Sequence, residues 1–175
     1  MTDTHPFAKH IALSAISPAG SEREIASTES ERADIVADFG LVELRSFVGR
    51  LDLKRSGDLV TIHGRITAEA VQSCVVSLAP VVQRIDESFI RRLTRGAAAE
   101  PSTIEETIEI GEDDPPDVFT GDSIDVGLVL LEEFALALDP YPRAPGVEFT
   151  VPDEVAADGP ASPFAVLKSL GKSDA

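Results

Sequence analysis

Residues 60–70 alternate without a break. Val60, Ile62, Gly64, Ile66, Ala68 and Ala70 share one parity, and Thr61, His63, Arg65, Thr67 and Glu69 share the other. A period of two puts each set on its own side of an extended chain, so the segment is predicted as a strand with one buried face. Similar β-rich runs lie on either side, LVELRSFVGRLDLKR at 41–55 and VVQRIDESFIRRL at 81–93. The Ser56-Gly57-Asp58 step joins the first two as an antiparallel hairpin.

Helical signals flank this β region. In STESERADIVADFG, Ser27 or Thr28 caps a helix over about 28–39, Glu31 sits near the third position of its first turn, and Gly40 supplies a left-handed stop. The preceding PAGSERE reads as turn-rich, and PFAKHIALSAI before it as an apolar segment. Gly96–Thr120 reads as a loop, although TIEETIEIG at 103–111 alternates well enough for one edge strand.

Asp122 or Ser123 then starts a second helix reaching about 138, with Asp125 near its positive end. Ile124, Leu128, Leu131, Ala135 and Leu138 form one predicted face, but Val126, Val129, Leu130 and Phe134 carry apolar surface round most of the circumference. Such a helix needs cover on more than one side. SPFAVLKSL at 162–170 suits a short terminal helix, with Ser162 as cap and Pro163 at the first position. The expected fold is α+β, an antiparallel or small barrel-like sheet with two main helices packed on it and a short C-terminal helix. It forms one domain, with a core of about 5–145, an acidic loop of about 97–120 and a tail of about 143–175.

Composition limits the chemistry. With Trp absent and 5% aromatic residues, the core rests on Val, Leu, Ile and Ala, and stacking platforms for bases are scarce. The one cysteine, Cys74, excludes an internal disulfide and a multi-thiolate zinc site, and points to a reducing compartment. No secretory signal is read at the N-terminus. The longest apolar run, Val126–Leu131, falls far short of the roughly 20 residues that span a bilayer. The expected location is the cytoplasm.

Enzymatic readings find little support. His5, His10 and His63 lie in no catalytic motif, and there is no nucleophile elbow, phosphate-binding glycine loop or Cys-His signature. Glu112, Asp113, Asp114, Asp117, Asp122 and Asp125 are crowded enough to suggest a cation, but their spacing is not that of a calcium loop and two prolines interrupt it. No catalytic residue, metal ligand or cofactor is assigned. A metal-dependent hydrolase built on these acids stays only as a minor alternative.

Charge is segregated along the chain. Between Ala97 and Asp139 there are 13 acids and no Lys or Arg, which accounts for most of the net charge of -16. From Arg45 to Arg95, nine bases meet five acids. Arg45, Arg50, Arg65, Arg84, Arg91, Arg92 and Arg95 are therefore candidates for RNA or partner binding through phosphate contacts. The competing expectation is that they decorate an ordinary sheet or pair with acids of the same chain. Glu112, Asp113, Asp114 and Asp117 are candidates for binding a basic partner, attracted by electrostatic steering.

Three segments carry a family resemblance. GRITAEAVQSCVVSLAPVVQRIDESF places Cys74, Leu78, Pro80 and Phe89 in a strand, cysteine, leucine-proline and strand order. GDSIDVGLVLLEEFALALDPYPRAPG brings Gly121, Asp122, Ile124, Asp125, Glu132, Glu133, Leu136, Leu138, Pro140 and Pro142, and PFAVLKSL closes the chain. In this order they resemble the YceD family, the large ribosomal RNA subunit accumulation proteins, and the N-terminal helix and strand resemble its alphaproteobacterial branch. The resemblance implies a non-enzymatic factor that supports 23S rRNA accumulation and large-subunit assembly. Its partners would be ribosomal RNA, a basic ribosomal or RNA-processing protein, or both. The alternative is an adaptor for such a protein without RNA contact. Many relatives have a second cysteine where this chain has Ser77, so a zinc role suggested for them does not carry over.

Overall fold

The computed structural model describes residue 5 and residues 7–96 and 115–148. The chain divides into two compact units, Met1–Ala144 and Pro145–Ala175. The predicted strand at 103–111 and the predicted terminal helix lie outside the described residues.

Three long strands, β3 (Glu43–Ser56), β4 (Leu59–Ser73) and β5 (Pro80–Arg95), form an antiparallel meander. The hairpin turns at Gly57, whose φ of 64° suits a residue without Cβ. The even residues of β4 from Val60 to Ala70 are all buried, while His63 and Arg65 are exposed, as the alternation predicts. β2 (Ser21–Ala26) adds antiparallel to β3, and the short β6 (Asp117–Phe119) adds parallel to the end of β5, giving the order β2-β3-β4-β5-β6. Among the described residues the sheet is open, with β2 and β6 at its edges, and it does not close into the barrel-like alternative. β2 falls where the sequence reads as turn-rich: only Ile25 packs inward among Glu22, Arg23 and Glu24, so it carries little hydrophobic pattern.

α1 (Glu29–Phe39) matches its prediction closely. The Thr28 hydroxyl accepts from the Glu31 N–H, the Glu31 carboxylate accepts from the Thr28 N–H, and Gly40 closes the helix at φ 62°. The reciprocal cap satisfies two otherwise orphaned donors and is worth about 1 kcal/mol.

α2 (Val126–Ala137) starts later than expected. Ser123–Asp125 form β7, paired antiparallel with β1 (His10–Ala12), so Asp125 is the cap in place of Asp122 or Ser123. The buried face is also different: Val126, Val129, Leu130, Leu131 and Phe134 point inward, while Leu128 is 45% exposed. The helix is covered from two sides. Leu130 lies over Gly49 of β3, where a Cβ would come within 2.5 Å of its methyls, and the N-terminal segment crosses at Gly127, where a Cβ would meet the Phe7 carbonyl at 1.8 Å.

The core is wholly apolar among the described residues. Phe7 and Phe47 meet edge to face at 5.1 Å, Phe134 and Phe39 edge to face at 5.5 Å, and Phe47 and Phe134 lie tilted at 5.1 Å. This chain of rings ties the N-terminal segment, β3, α2 and α1 together on one side of the sheet. Burying each such ring contributes about 1.5–3 kcal/mol. Among the described residues, the other side of the sheet carries no helix.

Candidate interaction surfaces

The uncovered sheet face carries most of the predicted arginines, but they are matched by carboxylates. Arg50 reaches Glu24 at 2.9 Å, and Arg65 holds Asp86 through two bonds of 2.6 Å. Glu69 takes Arg45 at 2.7 Å and Arg84 at 3.2 Å, and Arg45 also holds Glu43 at 3.0 Å. The hydrogen bonds from these arginines hold Glu69 and Asp86 below the usual carboxylate range against a small opposing effect of burial. Arg92 shares the face by its register opposite Thr61. Register also places Arg50 directly opposite Arg65, beside a shallow groove of about 860 Å³ floored by the backbone of Leu51 and Gly64. An electropositive sheet is therefore not what the fold builds. Its cations are interleaved with Glu22, Glu24, Asp52, Glu69 and Asp86.

Arg91 and Arg95 belong to the opposite parity of β5 and point away from that face. Arg91 reaches Glu132 at 2.8 Å, Asp117 at 3.1 Å and Glu133 at 3.6 Å, linking β5 to α2 and β6. Burial pushes the Glu133 carboxyl upward, Arg91 opposes this, and the neighbouring charges of Glu132 and Asp117 add to it, leaving it raised. Arg95 holds Asp58 at 2.6 Å and Asp122 at 2.8 Å. Of the acidic candidates, Asp117 takes part in the Arg91 cluster, whereas Glu112, Asp113 and Asp114 lie outside the described residues. Among the described residues no group of three or more His, Cys, Asp or Glu could hold a metal ion, and no helix is long and apolar enough to cross a membrane.

Asp125 organises the junction of the N-terminal segment with α2. Its Oδ1 accepts from the N–H groups of Lys9 at 2.8 Å, Gly127 at 3.0 Å and Leu128 at 3.3 Å, and Oδ2 lies 2.9 Å from His5 Nε2. Burial pushes this carboxyl upward, but the Lys9 and Leu128 N–H groups and His5 outweigh it and hold it below its ordinary value. Nearby, Lys9 pairs with Glu31 of the α1 cap. The Gly121, Asp122, Ile124 and Asp125 motif is thus largely architectural: a turn at φ 90°, a surface ion pair, a core residue and a cap.

Cys74, Leu78, Pro80 and Pro142 converge at one end of the sheet. The β4–β5 connection is a tight loop wound around Cys74, whose N–H donates to the Ala79 carbonyl at 2.8 Å while its own carbonyl accepts from the Leu78 N–H at 2.9 Å. The buried Sγ accepts from the N–H groups of Val76 at 3.5 Å and Ser77 at 3.4 Å. The Ser77 hydroxyl, the Ala144 N–H and those two amides lower the thiol to about 6, against the opposing effect of burial. Val75 N–H bonds the carbonyl of Pro142 at 2.9 Å, and Gln83 bridges Ala137 and Asp139, fixing the exit of α2 against the loop.

Leu78 stands at the tip in the left-handed region, φ 60°, with 78% of its surface exposed. Val75 and Tyr141, on the two segments joined by the Val75–Pro142 bond, are 48% and 72% exposed. Sequence reasoning placed Leu78 and Pro142 in a family motif without revealing that the buried Pro142 ties its segment to the loop that exposes Leu78. The signal is three-dimensional, since the backbone hydrogen bond that joins the two segments runs between Val75 and Pro142, 67 positions apart.

No curated protein and no solved structure matches the chain. The family model described as large ribosomal RNA subunit accumulation protein YceD matches residues 62–171, which takes in β4, β5, the Cys74 loop and α2. The chain belongs to the YceD family.

Proposed function

We propose that this protein is a non-enzymatic cytoplasmic factor that supports accumulation of large-subunit ribosomal RNA, and that it acts by docking a basic ribosomal or RNA-processing protein on the Cys74 loop. The family gives the process. The conformation of Leu78 carries the docking reading. A left-handed backbone costs a residue with a Cβ roughly 1–2 kcal/mol, and here it holds a large apolar side chain in solvent. The hydrogen bonds of the Cys74 loop hold the turn, but among the described residues the Leu78 side chain is left without apolar cover, which burial against a partner would supply. Val75 and Tyr141 extend the apolar contact, and the acids around Asp117 draw a cationic partner toward the molecule.

Direct RNA contact is the second reading, favoured by the placement of Arg50 opposite Arg65 beside the groove. A phosphate there must replace the carboxylates of Glu24 and Asp86, so RNA affinity is expected to be weak and to fall steeply with salt. Arg45, Arg84 and Arg92 would extend such a contact. Arg91 and Arg95, on the other parity, would not.

The two readings separate in cells that lack the protein. Restoring the wild-type chain should recover large-subunit rRNA, and Leu78→Asn should fail to do so while folding normally. Partner capture should survive nuclease with the wild-type chain and be lost with Leu78→Asn. Full recovery by Leu78→Asn, together with failure of an Arg50→Glu, Arg65→Glu chain, would overturn the docking reading in favour of RNA contact.

A further inference from the structure

Two like-charge pairs meet across the ladders of the uncovered sheet face. Glu22 of β2 stands directly opposite Asp52 of β3, and Arg50 of β3 stands directly opposite Arg65 of β4. Like charges placed this way destabilise a sheet. Exchanging Arg50 and Asp52 would lose the Arg50–Glu24 pair but set an arginine opposite Glu22 and a carboxylate opposite Arg65. The order Arg50-Leu51-Asp52 is therefore not the one that best stabilises the sheet. Internal partners relieve the conflict only in part. Arg50 donates to Glu24 and Arg65 to Asp86, on opposite flanks of the pair. Among the described residues Asp52 meets Lys54 at 3.4 Å, and no ion pair reaches Glu22. Both pairs line the groove of about 860 Å³, with His63, Ser88 and Ile90 beside them. A strand spacing of about 4.8 Å and a rise of about 3.3 Å per residue put the midpoints of the two pairs about 8 Å apart.

We infer that this groove holds the carboxyl-terminal lysine of a partner chain, with its carboxylate between Arg50 and Arg65 and its ammonium between Glu22 and Asp52. In an extended lysine six bonds separate the two charges and span about 7.5 Å, close to the distance between the seats. The carboxylate takes guanidinium donors now directed at Glu24 and Asp86, and the ammonium arrives beside Glu22 and Glu24, which share one face of β2. Charge released on one side is thus met on the other. A lone anion would displace the same acids and leave them uncompensated. The ligand is a chain end and not the free amino acid, because the α-ammonium of free lysine would lie against two guanidinium groups, whereas a peptide bond there is neutral. A lysine-bearing partner is also what the net charge of -16 attracts. This surface is distinct from the Cys74 loop, and the inference stands whether or not that loop docks a partner.

The probe is Nα-acetyl-lysine with a free carboxylate, titrated into the isotope-labelled full chain at ~0.05 M salt and followed by amide NMR shifts. Signals of Arg50–Asp52 and His63–Arg65 should move with a dissociation constant on the order of 1–10 mM, as two charge-assisted contacts allow. Nα-acetyl-lysine amide lacks the carboxylate, γ-aminobutyrate is two bonds too short, and free lysine carries the extra ammonium; each should bind at least about fivefold more weakly. Arg65→Gln and Asp52→Asn should each weaken the probe by a similar factor. Asp38→Asn removes the same charge from α1, on the covered side of the sheet, and should not weaken it. If a groove variant does not fold, the comparison of the four ligands on the wild-type chain decides. Signals that stay fixed up to about 50 mM probe overturn the proposal, as does equal binding of the amide, γ-aminobutyrate or free lysine. Inorganic phosphate that moves the same signals as strongly as the probe overturns it too, by showing a site for anions alone.

Discussion

Replacing Asp125 by alanine removes two kinds of interaction at once. The first is the cap: the Gly127 and Leu128 N–H groups lose their acceptor, which costs about 1 kcal/mol in a typical helix. The second is the 2.8 Å bond from Lys9 N–H, a charge-assisted bond in a half-buried setting worth about 1.5–3 kcal/mol. Together they predict a loss of about 2–4 kcal/mol, a large part of the stability of a fold this size. Urea unfolding followed by circular dichroism should show the midpoint falling with little change in slope. Asp125→Asn keeps an oxygen at the cap and should lose about half as much. Asp122→Ala is the control, because Asp122 is an exposed partner of Arg95 and its loss should cost under ~0.5 kcal/mol. Equal losses at Asp122 and Asp125 would refute the assignment of the cap, as would a loss below ~0.5 kcal/mol at Asp125.

The pH dependence gives further checks of opposite sign. Asp125 titrates below its ordinary value in the fold, so its contribution is present above the unfolded pKa of about 3.9 and is lost as pH falls through the folded value. Asp125→Asn should therefore flatten acid unfolding below about pH 4. Glu133 is raised, so its contribution is full below the unfolded pKa of about 4.3 and is lost as pH rises through the folded value; Glu133→Gln should stabilise at pH 7 and lose that advantage in acid, as read by thermal melts. Cys74, lowered to about 6, should make stability rise between about pH 6 and 8.5, a slope absent from Cys74→Ala, while its burial keeps native thiol labelling far slower than in the unfolded chain. Phe47→Ala, at the middle of the ring chain, should cost about 3–5 kcal/mol in urea unfolding.

What could be read in advance follows from how local each signal is. β4 was legible residue by residue because one of its faces is buried along its whole length, so the period of two is uninterrupted. α1 was legible because its cap and stop are neighbours in sequence. The start of α2 was not, since Asp122, Ser123 and Asp125 are equivalent as caps until β1 pairs with Ser123–Asp125 and leaves only the last free to cap. The buried stripe was misplaced for the same reason: where a helix is apolar nearly all round, the neighbours decide which residues go in. Here those neighbours are Gly49 and the Phe7–Lys9 backbone, and neither contact has a local sequence signature. The arginines were visible as a basic stretch, but their carboxylate partners lie from 2 to 42 residues away. Composition registers the charges and misses the pairing.

The pairing bears directly on how such a protein could find a partner. The field felt at a distance is set by the net charge of -16, and it repels RNA while attracting basic proteins. The sheet face adds little to that field, because its arginines and carboxylates cancel within a few ångströms of one another. Selectivity at contact then rests on shape and apolar area, which the described residues offer at Leu78, Val75 and Tyr141. Attraction and grip are thus carried by different groups and should separate kinetically. Raising salt from about 0.05 to 0.5 M should slow association with a basic partner and leave dissociation almost unchanged. Leu78→Asn should do the reverse, speeding dissociation with little effect on association, because a neutral substitution leaves the long-range field intact. If salt and Leu78→Asn act on the same rate constant, steering and docking are not distinct, and the Cys74 loop is not where the partner is held.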